Sequence, residues 1–139
     1  MSVGALYEML ATNLRDAGIW GERVYADVVP AGVVRPYVVY FVVSGGEDNV
    51  RGDRRDASYV VTIKCVGERL VDSLQGARQL VERLDDHGVQ DRSGVLIDPA
   101  GWTITTITAD RAVHVVERFE GAIPIYHDGH QFIIVMEAV

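Results

Sequence analysis

One cysteine, four prolines and three phenylalanines are all that the 139 residues contain of those types. The lone thiol, Cys65, excludes an intrachain disulfide and a cysteine-built metal cluster, and nothing in the chain points to an oxidising compartment. Basic charge is short as well. Thirteen Lys and Arg stand against 20 Asp and Glu, a formal net charge of −7. Each phosphate contact takes a Lys or Arg, so no specific nucleic-acid binding is expected, although DNA can pass such a surface without sticking. Long apolar runs are missing too. None approaches the roughly 18 residues of a membrane span. Glu8, Arg15 and Asp16 interrupt the N-terminal stretch before the apolar core of a signal peptide could form. These absences lead to a soluble protein made in a cytoplasm. Hydrophobic residues at 48% and charged residues at 24% are ordinary values for a globular chain, here one domain over residues 1–139.

What the chain has in quantity is β-branched and aromatic residues. Its most apolar run is Pro36-Tyr37-Val38-Val39-Tyr40-Phe41-Val42-Val43-Ser44, bounded by proline and by Gly45-Gly46. Such side chains lose rotamer freedom in a helix and pack well on a pleated surface. Apolar at successive positions, the run reads as a strand buried on both faces in the centre of a sheet. A second strand follows at 58–66, with Tyr59, Val61, Ile63 and Cys65 on one face and Val60, Thr62, Lys64 and Val66 on the other.

Two helices are expected. Over 2–17, Val3, Leu6, Tyr7, Leu10, Leu14 and Ala17 form one stripe, with Ser2 as a cap and Gly18 as the stop. Over 68–87, Leu70, Leu74, Ala77, Val81 and Leu84 alternate steps of four and three, with Gly76 in mid-helix as a place where another backbone can come close. Residues 23–28 read as a short strand, 89–100 as a polar connector, and 102–109, 113–119 and 131–136 as three further strands. Asp128-Gly129 reads as a turn. The fold class is therefore α+β: a mostly antiparallel sheet of four to five strands with two main helices packed on one face.

Between the first two clear strands, residues 45–57 hold seven charged residues and three glycines. This reads as a long exposed loop, and long polar loops are where binding often resides. Its candidate contact residues are Glu47, Asp48, Arg51, Asp53, Arg54, Arg55 and Asp56. The alternation of Arg with Asp suits contacts between subunits better than a grip on nucleic acid.

Catalytic patterns are sparse. There is no Gly-rich loop with a lysine, no Gly-x-Ser-x-Gly and no His-Glu-x-x-His. The one cluster that invites a metal is His127, Asp128 and His130, with His114 upstream. Its histidines are three apart around a turn signal rather than four apart on a helix, and the expectation is no metal, no cofactor and no enzyme. A small metal-binding enzyme built on those four residues stands as the alternative class.

The order of the elements resembles the small tail-completion or tail-terminator proteins of long-tailed phages. The resemblance rests on a helix of the Ala5-Leu6-Tyr7 to Leu14 kind, Arg23-Val24-Tyr25, Pro30, Pro36-Tyr37-Val38-Val39-Tyr40, a long polar loop, Val60-Val61-Thr62-Ile63-Lys64-Cys65 and a helix ending in Leu84. Tyr126-His127 and Phe132-Ile133-Ile134-Val135-Met136-Glu137 close it. It spans nearly the whole chain. It implies a structural virion protein of the tail or neck, made in the host bacterial cytoplasm, that forms a ring, typically a hexamer. Such a ring ends tail-tube polymerisation and offers the head-joining surface. The implied partners are copies of itself, the tail-tube protein and a head-completion or stopper protein, with no membrane. A neighbouring neck protein, a stopper or adaptor, is the nearest alternative. The resemblance applies equally to a phage, a resident prophage or a gene-transfer particle.

Overall fold

The computed structural model describes residues 2–16, 20–50, 54–84 and 102–138. Helix α1 (Ser2–Asp16) is followed by β1 (Val24–Ala26), β2 (Tyr37–Val50), β3 (Arg54–Gly67), α2 (Leu70–Leu84), β4 (Trp102–Glu117) and β5 (Ile125–Ala138). The strands form one sheet in the order β1-β2-β3-β5-β4. All pairs are antiparallel except β1 with β2, which is parallel. The α+β expectation holds, with the parallel edge pair as an addition to it. No helix among the described residues is long and apolar enough to cross a membrane.

Both helices lie on one face of the sheet and share its core. Leu6, Leu10 and Leu14 of α1 and Leu80 and Leu84 of α2 are buried with Val38 and Tyr40, Val61 and Ile63, Ile104 and Ile107, and Phe132 and Ile134. The strand period of two sets this pattern. On β3, Tyr59, Val61, Ile63 and Cys65 are all buried. On the opposite face Thr62 and Val66 are buried too, while Lys64 is half-buried with its ammonium 5.8 Å from the centre of the Phe41 ring. Burial on both faces of β2 is realised only over Val38, Val39 and Tyr40; Val43 is exposed. The reason is the neighbour. β1 covers β2 for three residues only, so β2 sits second from the edge rather than at the centre.

Several expected boundaries move. Residues 45–50 and 54–57, expected to be loop, are strand, because the β2–β3 ladder continues through Glu47↔Ala57, Asp48↔Asp56, Asn49↔Arg55 and Val50↔Arg54. Backbone pairing outweighs the polar composition there, and a bulge between Val42 and Ser44 bends the arm. The two strands expected over 102–109 and 113–119 are one 16-residue strand, β4. Bulges between Ile104 and Thr106 and between Ala109 and Arg111 absorb the polar Asp110-Arg111 interruption. Asp128-Gly129 is not a turn but mid-strand in β5. Gly129 runs so close to β3 that a Cβ there would lie 2.7 Å from Lys64 Cβ, so this glycine marks a close approach rather than a reversal. The chain turns instead over 118–124, where Gly121 adopts a φ of 74°. The ends expected for α1 beyond Asp16 and for α2 beyond Leu84, and the connector 89–100, lie outside the described residues.

Candidate functional site

The first candidate is the hairpin arm at the far end of β2 and β3. Arg54, Arg55 and Asp56 lie on β3 opposite Val50, Asn49 and Asp48. Arg51 and Asp53 lie outside the described residues. Glu47 is tied into the fold, since its Oε1 accepts the Ser2 backbone N–H at 2.8 Å. A carboxylate there satisfies an orphan donor at the positive end of α1. Ser2, expected to cap that helix with its own side chain, instead hydrogen-bonds the Tyr59 hydroxyl through Oγ. Of the described candidates, Glu47 and Asp48 lie on β2 and Arg54, Arg55 and Asp56 on β3, and Glu47 has an internal role.

The second candidate is the histidine cluster, which the sheet divides. His127 and Asp128 are neighbours on β5, so they face opposite sides. Asp128 points toward the helices. Ser73 Oγ donates to its Oδ2, and His114 Nδ1 bonds its Oδ1. His127 points to the other face, beside the Glu117 carboxylate. Burial pushes the His127 pKa down, as does the nearby Lys64 charge, against an opposing pull from Glu117. Among the described residues no group of three or more His, Cys, Asp or Glu could hold a metal ion. Nor does the Ser73–Asp128–His114 chain make a nucleophile. A serine is activated by a base that bonds its hydroxyl, whereas the Ser73 hydroxyl and the His114 ring bond the same carboxylate. Ser73 and Asp128 are both buried. The arrangement is a polar clamp that pins α2 to the β4–β5 hairpin.

The third candidate was not visible in the helical stripe. The residues of α2 that turn to the sheet are Ser73, Gly76, Ala77, Leu80 and Leu84. Leu70, Val71 and Leu74 stay exposed. Beside them runs an open groove of about 420 Å³ between α2 and β4, lined by Leu70, Leu74 and Ala77 on one side and Ala112, Val113 and His114 on the other. A Cβ on Gly76 would overlap Cys65 Sγ and lie 2.6 Å from its Cβ. The small residue lets α2 sit low on β3, and the larger side chains on its flank are left uncovered. Burial pushes the Cys65 thiol up to about 11, which makes it an inert core group.

The two edges of the sheet are finished differently. On the β1–β2 edge, Arg15 Nη2 donates to the Val24 carbonyl at 3.2 Å, the Val28 N–H to the Ala26 carbonyl at 2.6 Å, and the Val42 N–H to the Tyr7 hydroxyl at 3.2 Å. On the β4 edge, among the described residues, no hydrogen bond reaches the outer backbone of Asp110 to Glu117.

No protein-family profile matches the chain, and no curated protein sequence does. A solved chain of the virion of a native gene transfer agent (GTA) particle does match in structure, with a TM-score of 0.61 at 18% identity, over 97% of this chain and 93% of that one. The two chains share a fold. The likeness runs through both almost end to end.

Sequence periodicity missed the exposed flank of α2 because Leu70 and Leu74 also satisfy a core stripe. The available signal was the Ser73, Gly76, Ala77 set at steps of three and one, small residues that let a helix come close to a sheet. The open β4 edge had no signal in composition, since edge position depends on which strands pair.

Proposed function

We propose that this chain is a structural virion protein that forms a ring at the head-proximal end of a phage-type tail tube, ends tube polymerisation and provides the head-joining surface. The observation that carries the reading is the end-to-end fold shared with a chain of a gene transfer agent virion. The ordered motifs that resemble tail terminators support the specific role. A ring subunit has no chemistry to perform, which agrees with a carboxylate clamp in place of an activated nucleophile. In this reading the β2–β3 arm, with Arg54 and Arg55, reaches the tail tube or the next subunit. The net charge of −7 keeps a DNA conduit from gripping what passes through it.

Electron microscopy of particles made without this chain tests the role. A terminator's loss leaves tails of uncontrolled length without heads. A stopper or adaptor, the second reading, leaves tails of normal length that fail to join. Wild-type particles from the deletion would overturn both. Arg54→Glu with Arg55→Glu tests the arm: ring formation and tail joining left intact would remove it from the contact.

A further inference from the structure

Two histidine–carboxylate pairs cross the β4–β5 hairpin, one on each face of the sheet. On the helix face, His114 of β4 bonds Asp128 of β5, which also holds Ser73 of α2. On the other face, His127 of β5 lies against the Glu117 carboxylate of β4. The register makes the pairs neighbours, since His114 stands opposite Asp128 and Val115 opposite His127. Beyond them the ladder continues only through Val116↔Tyr126 and Glu117↔Ile125 before the chain turns over 118–124. β4 is an edge strand, so among the described residues no further strand holds it from outside. The turn is exposed throughout 118–123, with Phe119 at 61% and Ile123 at 64%. The Ala122 N–H closes it on the Phe119 carbonyl at 3.0 Å.

We propose that residues 115–126, the end of the β4–β5 hairpin, form a flap that is closed at neutral pH and opens in acid, with His127 as its latch. His127 is buried although it borders this exposed turn, and its Nδ1 has no hydrogen-bond partner. The charged groups that face it are Lys64 from β3, Glu117 from β4 and Arg35 from the segment before β2. Arg35 is itself paired with Glu68 at 3.1 Å. Tyr37 of β2 lies in the same row beyond Val66. Its phenol, raised above 10.0 by burial, carries no charge where a histidine titrates. A proton added to the ring is thus a buried charge beside two cations and one carboxylate. Peeling 115–117 away from β5 uncovers the ring and lets water solvate that proton. The Asp128 clamp sets where the peeling stops. His114 donates from Nδ1 in its neutral and its protonated form alike, so its own protonation leaves the clamp in place. Burial and the Lys64 charge hold His127 below 6.5 in the closed form. Closure is therefore fully favoured above pH 6.5 and weakens as pH falls from there through the closed-state value. Phe119 and Ile123 form an ordered apolar prong when the flap is closed. Once it is open, a partner that grips them must order them first, so any contact made through this turn weakens in acid.

Hydrogen exchange of the full chain, followed by mass spectrometry and corrected for the intrinsic effect of pH, tests this. Peptides covering 115–126 are compared with peptides from the core of β3. From neutral pH to well below 6.5, protection of the flap relative to β3 is expected to fall. The fall is up to about tenfold per pH unit, the limit for uptake of one proton. His127→Gln should remove this pH dependence. Lys64→Gln keeps the latch and takes away one of the two cations, so the pH dependence should shrink and not vanish. Flap protection that follows that of β3 at every pH would overturn the proposal. So would a pH dependence that survives His127→Gln, or one that Lys64→Gln leaves unchanged. A purely structural role for His127 predicts a different result: the variant would then lower flap protection by the same factor at every pH.

Discussion

The Tyr7 hydroxyl donates to Asp27 Oδ1 at 2.8 Å while accepting the Val42 N–H at 3.2 Å. One phenol from α1 thus stands where a longer β1 would have continued. Asp27 has a φ of 60°, the left-handed conformation that takes the chain away from the sheet edge. Its carboxylate also helps to raise the Tyr7 pKa, after burial, which is the larger cause. Tyr7→Phe keeps the ring against Tyr40, 5.5 Å away between centres, and removes only the oxygen. The expected loss is about 1–2 kcal/mol, from two hydrogen bonds of modest net worth and a partly buried N–H left alone. Urea unfolding measures it. A variant as stable as the parent would mean that the edge needs no closure.

Gly76 and Cys65 are expected to be coupled. On an isolated helix Gly→Ala is favourable by up to about 1 kcal/mol. Here the new methyl would overlap Cys65 Sγ, so Gly76→Ala should destabilise by about 1–3 kcal/mol, the usual cost of overpacking. Cys65→Ala in the same chain makes room for the methyl, and the double variant should be more stable than Gly76→Ala alone. A double-mutant cycle with no coupling would remove the close approach from the account.

Stability should fall as pH drops below the ordinary histidine range, and His127 should account for part of the fall. Burial and the Lys64 charge hold the folded-state pKa of His127 below 6.5. The unfolded chain therefore takes up a proton first. The stabilisation is fully present above pH 6.5 and is lost as pH falls from there through the folded value. Lys64, pushed below 10.5 by burial, has the same sign at the alkaline end, where stability should rise with pH through 10.5. His127→Gln removes the acidic contribution. The stability difference between parent and variant, followed from neutral pH downward in urea, should move steadily against the parent. A constant difference would mean that His127 titrates alike in both states.

The helices, the β2 and β3 cores and the fold class were legible because each rests on local periodicity. Leu6, Leu10 and Leu14 repeat every four residues, and Tyr59, Val61, Ile63 and Cys65 every two. What could not be read depends on partners distant in sequence. Asp128-Gly129 has the composition of a turn, yet Asp128 is claimed by Ser73 and His114 and Gly129 by the closeness of β3. Asp110-Arg111 looks like a break between strands and is a bulge within one. The arm residues Glu47, Asp48, Arg54, Arg55 and Asp56 were found as part of a charged group, but their ladder, and the use of Glu47 at the start of α1, follow from register. The exposed side of α2 was hidden for a different reason: the helix carries apolar residues on two adjoining stripes, and Gly76 decides which of them meets the sheet.

Asp128 should prove to be a structural residue and not a catalytic one. Its carboxylate is buried and holds Ser73 of α2 and His114 of β4 through different oxygens. Asp128→Asn keeps the shape but replaces one acceptor oxygen with an N–H₂ donor. Facing the buried Ser73 hydroxyl, that change leaves the amide or the hydroxyl poorly bonded, and the expected cost is about 1–3 kcal/mol. Ser73→Ala removes the hydroxyl that Asp128 holds. In an Asp128→Asn background it should therefore cost much less than in the parent, and the cycle should show strong coupling. His114, half-exposed at the rim of the α2–β4 groove, should cost less on its own when changed to Ala, because water can replace it on the carboxylate. If the Asp128 and Ser73 effects simply add, α2 is held by its apolar contacts with Leu80 and Leu84, and the polar clamp contributes nothing of its own.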